Sequence, residues 1–105
     1  MSPEEMFLRN SNKRGYLYFT DHAVEKQMRL MIKKNDIIEC VENGPIIEIQ
    51  AGYTGEQPRI LVYSDHEKKF YVVVAIDFPT SCIIISVIEV DFSIWNKDGD
   101  SIVRK

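Results

Sequence analysis

Two nearly unbroken apolar runs, Phe70–Ile76 and Cys82–Ile88, constrain this chain more than any other feature. Both are short, and polar turns bound them: Ser64–Lys69 before the first, Asp77–Ser81 with Pro79 between the two. A short run that is apolar at almost every position reads as a strand covered on both faces, so these two belong at the centre of a sheet. Two further β-prone runs precede them, Ile46–Gln50 and Arg59–Tyr63, and the stretch Ala51–Pro58, with its glycines and proline, reads as their hairpin connection. Consecutive short connections make the four runs an antiparallel meander, the last ending near Glu89.

A sheet with an apolar face needs a cover, and the upstream sequence supplies helices. Thr20 and Asp21 are good N-cap residues, so a helix is expected from about His22 to about Ile32. Projected at about 100° per residue, Ala23, Val24, Met28, Leu30, Met31 and Ile32 form a broad apolar side. His22, Lys26, Arg29 and Lys33 fall in a narrow arc on the other side. A second helix is expected over about Lys34–Glu42, where Ile37, Ile38 and Val41 have helical spacing. Asn43-Gly44 would close it in a left-handed conformation, and Pro45 forbids continuation. Residues 1–15 are polar, with Asn10, Ser11, Asn12, Lys13, Arg14 and Gly15 in a row, and read as a flexible arm with at most a helical turn near Glu4–Arg9. Tyr16-Leu17-Tyr18-Phe19 reads as an edge strand or an extended lead-in. Phe92, Ile94 and Trp95 are expected to tie the tail, Val90–Lys105, onto the body. The expected fold is α+β: two N-terminal helices packed on an antiparallel four-stranded β-meander, with 1–15 as an arm and 16–105 as a single domain.

The length of 105 residues suits one domain with a real core. A net charge of −3 argues against a non-specific nucleic-acid binder, whose basic field is usually global, but leaves room for a local basic site. No apolar run is long enough to cross a membrane, and Met-Ser-Pro-Glu-Glu-Met does not look like a secretory signal, so a cytoplasmic location without membrane contact is expected. Cys40 and Cys82 are expected as free buried thiols. With His22 and His66 they show no paired ligand spacing, so neither a metal nor a cofactor is implied.

The stripe His22, Lys26, Arg29, Lys33 has two readings. One is an anion or phosphate site with an imidazole at one end; the other is the solvated face of an amphipathic helix. Phosphodiester cleavage without metal needs a base for the 2′-hydroxyl, an acid for the leaving oxygen and cations for the phosphorane charge. Histidine, lysine and arginine can fill those roles. Arg59, opening a strand, either points to the same face as the stripe or is an ordinary surface charge. Tyr71 is either a half-buried aromatic or an acid or phosphate contact. Ser86 interrupts an apolar strand and is expected as a buried serine bonded to backbone. Glu89 and Asp91 are candidates to pair with the basic stripe. No glycine loop that cradles phosphate and no G-x-S-x-G elbow is present.

The segments FTDHAVEKQM, ENG, PIIEI, PRILVY, FYVVVA and IIISVIEVD, followed by Trp95, stand in an order that resembles the family filed as domain of unknown function 4258, across about Phe19 to Trp95. That family in turn resembles the RelE-like and BrnT-like ribonuclease toxins of bacterial toxin–antitoxin pairs, which share a two-helix-then-sheet layout. The resemblance implies a domain that binds RNA or another phosphate-bearing ligand. In catalytic form it would be a metal-independent ribonuclease, with RNA and a cognate antitoxin as partners. By position, His22 and Ala23 match the family's helix-start pair. Lys26 stands where arginine is usual, Leu30 where a second arginine is common, Tyr71 at the usual histidine, Ser86 at the usual threonine and Ile88 at the usual tyrosine. The resemblance makes His22 the base or acid, Lys26 and Arg59 phosphate cations, and Tyr71 a second acid or orienting group. Arg29 and Lys33 are further phosphate-binding candidates. The departures fall on polar positions, which raises an alternative: a non-catalytic interaction module of phage or mobile-element type, binding a host protein or forming a homodimer through an exposed strand edge.

Overall fold

Phe70–Asp77 and Ser81–Glu89 are neighbouring antiparallel strands inside a five-stranded sheet, in keeping with their apolar composition. The computed structural model describes residues 2–52, 57–65 and 67–105. His66 and the middle of the expected hairpin loop, residues 53–56, therefore lie outside the described residues. In chain order the elements are α1 (Pro3–Lys13), β1 (Leu17–Phe19), α2 (Asp21–Arg29), α3 (Lys34–Asn43), β2 (Ile46–Gln50), β3 (Arg59–Ser64), β4 (Phe70–Asp77), β5 (Ser81–Glu89), β6 (Trp95–Asp98) and β7 (Ser101–Arg104). The class is α+β, but the sheet is mixed rather than a four-stranded antiparallel meander. Its order is β1-β5-β4-β3-β2, with β1 parallel to β5 in the register Leu17↔Cys82 and Phe19↔Ile84. A strand that reaches its partner only through a long connection is free to pair parallel, and two helices and three strands separate β1 from β5.

The segment expected as a flexible arm forms α1. Ser2 caps it by accepting a hydrogen bond from the Glu5 amide, Pro3 takes the first helical position, and Glu4 and Glu5 occupy the positive end of the helix dipole. Leu8 is fully buried, and Ser11 points inward to donate to the Thr80 carbonyl at 2.8 Å. The polar string from Asn10 to Lys13 is thus the last turn of a docked helix. Arg9 of α1 also closes α3. Its guanidinium donates to the carbonyls of Val41 and Gly44, the latter at 2.7 Å, and pairs with Glu5 at 3.2 Å. Gly44 does not adopt the expected left-handed conformation (φ −69°). Its lack of a side chain matters for another reason: a Cβ there would lie 2.5 Å from the Tyr63 carbonyl oxygen and 2.6 Å from that of Cys40.

α2 stops at Arg29, three residues before the expected end. The Ile32 amide donates to the Gln27 carbonyl and the Met31 amide to that of Met28, a Schellman closure with Met31 in the left-handed region at φ 58°. Only part of the expected apolar side is buried. Ala23 and Ile32 are buried and Leu30 half-buried, whereas Val24 is exposed, Met28 is 70% exposed and Met31 88%. Leu30, Met31 and Ile32 lie beyond the end of α2, and the nine-residue helix, packed mainly against β5, has a contact face too narrow to cover Val24 and Met28.

One face of the sheet packs on the helices through Ile60, Val62, Phe70, Val72, Val74, Ile84 and Val87, against Leu8, Ala23, Ile37 and Val41. On the other face, Leu61, Tyr63 and Tyr71 pack against Val90, Trp95 and Ile102, the last two from a separate antiparallel hairpin made by β6 and β7. In the tail, Trp95 is fully buried while Phe92 and Ile94 stay exposed, so Trp95 is the anchor. The Arg104 guanidinium sits over the Trp95 ring at 4.5 Å and pairs with Glu48 at 2.7 Å. β4 is covered on both faces along most of its length. β5 is covered on one face only, and its burial alternates.

β5 also carries a bulge. Val73 pairs with Ser86 but Val74 with Ile84, so Ile85 and Ser86 together oppose Val73. The extra residue resets the alternation. Cys82 and Ile84 before it and Val87 after it all face the helices, which leaves Ser86 and Ile88 on the face of Val73 and Tyr71. No helix among the described residues is long and apolar enough to cross a membrane.

Candidate functional site

β1 leaves the outer edge of β5 at Ile84, and α2 takes over there. Thr20 is the pivot. Its amide donates to the Ile84 carbonyl at 3.1 Å, its hydroxyl reaches the carbonyls of Ile84 and Ile85 at 3.2 Å each, and the same hydroxyl oxygen caps α2 by accepting from the Ala23 amide at 3.0 Å. At the far end, Lys68 donates to the Leu30 carbonyl at 2.9 Å and lies 3.7 Å from the Glu89 carboxylate. The helix therefore runs beside β5 in the same direction, from Ile84 to Glu89.

This track sets where the basic stripe lies. His22 is exposed, with its Nε2 3.5 Å from Ser86 Oγ. Lys26 follows on the same helix face. Four helical residues advance about 6 Å and two strand residues about 7 Å, so Lys26 stands level with Ile88. The rest of the stripe goes elsewhere. Arg29 is bound to Glu25 at 2.6 Å. Lys33 precedes α3 and borders a separate cleft of about 590 Å³ with Met31, Ile32, Asp36, Glu67, Lys68 and Phe70.

Arg59 begins β3 opposite Ala75, and strand alternation puts it on the face of Leu61 and Tyr63. Tyr71 lies on that face too, opposite Ile88, but is buried with its ring 5.3 Å from that of Trp95. The four residues named for catalysis thus border one face of the sheet without forming a compact cluster. His22 and Lys26 line the β5 edge, Arg59 enters from two strands away, and Tyr71 is tucked under the hairpin. Among the described residues, the side chains of Lys26 and Arg59 carry no hydrogen bond or ion pair. Between these residues lies an apolar shelf, the part of the face that the hairpin leaves open. Ile83 and Ile85 are only half-buried there, Val73 and Ile88 border it while packing against the hairpin cluster, and Tyr18, opposite Ile83, is 52% exposed.

Several expected partners are placed differently. Ser86 is half-buried and faces His22 instead of being buried and bonded to backbone. Glu89 is near Lys68 rather than the stripe, and Asp91 accepts from the Ser93 amide at 2.9 Å; the Ser93 hydroxyl, with that amide second, holds the Asp91 carboxyl below the usual range. Burial pushes the Cys40 thiol up to about 12 and raises that of Cys82, so both stay protonated and unreactive at neutral pH. No group of three or more His, Cys, Asp or Glu among the described residues is placed to hold a metal ion. The His22–Ser86 approach is the feature that sequence reasoning missed. Its signal was there, as one hydroxyl in a run of isoleucine and valine.

These features define a small α+β domain whose sheet is sealed by helices on one face and half open on the other, with a histidine and two cations that are unpaired among the described residues bordering the open face. The sequence model described as domain of unknown function 4258 matches residues 19–89, and the chain belongs to that family. The match takes in α2, α3 and β2 to β5, including His22, Lys26, Arg59, Tyr71 and Ser86, and leaves out α1 and the β6–β7 hairpin. No curated protein and no solved structure matches the chain.

Proposed function

We propose that this is a toxin-like domain of RelE/BrnT-like layout that binds RNA on the open sheet face and cleaves it without metal, held in check by a cognate antitoxin. The observation that carries this reading is that His22 borders the same open face as two cations, Lys26 and Arg59, whose side chains make no hydrogen bond or ion pair among the described residues. An unpaired cation beside a half-open apolar surface is available to a phosphate. In this reading His22 accepts the 2′-hydroxyl proton and the 2′-oxygen attacks the adjacent phosphorus. Lys26 then balances the phosphorane charge, and Arg59, two strands away, holds a neighbouring phosphate of the same RNA. The bond from phosphorus to the 5′-oxygen breaks, and a proton goes to that oxygen, leaving a 2′,3′-cyclic phosphate and a 5′-hydroxyl. Tyr71 is the assigned proton donor, and its packing under Trp95 makes it the weakest member of the set.

Positioned general bases contribute on the order of 10²–10⁴ in rate. His22→Ala is therefore expected to cut RNA cleavage at least a hundredfold, and Lys26→Ala to weaken it, with the folded state retained. Purified protein is to be assayed on RNA with and without ribosomes, alongside growth on expression. If RNA stays intact in both assays and growth is normal, the ribonuclease reading fails.

The alternative, a non-catalytic interaction module, is favoured by the stripe itself. Leu30 is no cation, Arg29 is neutralised by Glu25, and Val24 and Met28 on α2 and Met31 just past its end leave apolar surface exposed. A stoichiometric protein partner captured equally well by wild type and His22→Ala would support it.

A further inference from the structure

We infer that Ser86 orients His22, its hydroxyl oxygen accepting from Nε2–H and leaving Nδ1 free to take a proton. The inference rests on the reading of His22 as a base. Three observations place the pair. The bulge at Ile85 turns Ser86 onto the open face, where an unbulged strand would send it toward the helices. Thr20 clamps the start of α2 to the Ile84 and Ile85 carbonyls, so His22 and Ser86 are each held within two residues of the same anchor. Ser86 Oγ then lies 3.5 Å from Nε2. That is a long approach, of the kind that tightens when substrate closes on a site.

The direction of the bond follows from the chemistry. A hydroxyl rotates to donate or accept. If Ser86 accepts from Nε2–H, the same contact serves both the neutral ring and the imidazolium, and a proton taken at Nδ1 disturbs nothing. If Ser86 donated to Nε2, the bond would have to reverse each time the ring gained a proton there.

The test is ¹⁵N NMR of the His22 ring in wild type, Ser86→Ala and Ser86→Thr, with thermal melts to confirm that all three fold. One hydrogen bond favours a tautomer roughly 2- to 10-fold. Ser86→Ala is expected to raise the share of the Nδ1–H form by that factor and to loosen the ring, and Ser86→Thr to restore both. In an active preparation, kcat should fall by a similar factor in Ser86→Ala at unchanged KM. An unchanged tautomer ratio and ring mobility in Ser86→Ala would overturn the inference, as would failure of folded Ser86→Thr to restore them. If the ring responds as expected but no RNA is cut, the orienting role stands and the ribonuclease reading falls.

Discussion

The two faces of this sheet are built from the same strands but sealed to different degrees. On the helix side, Ile60, Val62, Val72, Val74, Ile84 and Val87 are all fully buried under α1, α2 and α3. On the other side the β6–β7 hairpin covers Tyr63 and Tyr71, while Val73, Ile83, Ile85 and Ile88 stay partly in water. A sheet this small does not need both faces sealed to fold, so one face can carry stability and the other is free for recognition. The bulge in β5 serves both, because it keeps Val87 in the core while turning Ser86 outward.

Neighbouring isoleucines on β5 give the largest expected contrast. Ile84 faces the helices with no exposure, and Ile83 faces the shelf. Ile84→Ala removes a buried side chain and leaves a cavity, at a cost of about 2–5 kcal/mol. Ile83→Ala should cost about 1 kcal/mol or less, as at partly exposed sites. Urea unfolding of both variants measures the difference, and equal losses would mean that the two faces are equally sealed.

The arginine latches sharpen the same comparison at smaller scale. Arg9 fastens α1 to the end of α3 through two carbonyls, with its side chain mostly covered. Arg9→Ala should cost on the order of 2 kcal/mol, because charged hydrogen bonds are lost and carbonyls are left unpaired. Arg104 fastens the hairpin through Glu48 and the Trp95 ring but is exposed, so Arg104→Ala should lower the unfolding midpoint less, and less still in high salt. A larger effect at Arg104 would show that the hairpin is as integral as the helices.

How far the sequence announces this arrangement depends on how local each signal is. The strands β2 to β5 were legible from their apolar runs, and α2 and α3 from spacing and from Pro45. α1 was not, because its one fully buried apolar residue, Leu8, is followed by asparagines and a serine that look like a loop. The parallel pairing of β1 was not legible either, since a three-residue strand says nothing of a partner more than sixty positions away in the register Leu17↔Cys82. At the site, His22 and Lys26 were legible from helical spacing. The lone hydroxyl of Ser86 stood out in its apolar run, but its meeting with His22 was not legible, because the face it takes depends on a bulge that the pattern does not mark. The expectation for Tyr71 missed Trp95, which comes from a tail whose hairpin carries only a weak sequence signal.

The smallest expected effect concerns the contact of Tyr63, Asp65 and Lys69 at the turn between β3 and β4. Tyr63 packs on the hairpin side and donates to the Asp65 carboxylate at 3.0 Å, and Lys69 pairs with the same carboxylate at 3.0 Å. The Lys69 and Tyr63 hydrogen bonds hold the Asp65 carboxyl below its usual value, while burial, followed by the Asp65 contact, pushes the Tyr63 phenol up to about 12. A carboxyl depressed in the folded state adds stability that is complete above the unfolded value of about 4 and lost as pH falls through the folded one. Asp65→Asn should therefore lie slightly below wild type in urea midpoint at pH 7 and converge with it as the pH falls below the ordinary carboxylate range. Because Asp65 is exposed, the gap should be the smallest of those expected here and should shrink in salt. A gap of equal size at pH 7 and below that range would show that the Tyr63 contact acts through shape alone, with no contribution from the Asp65 charge.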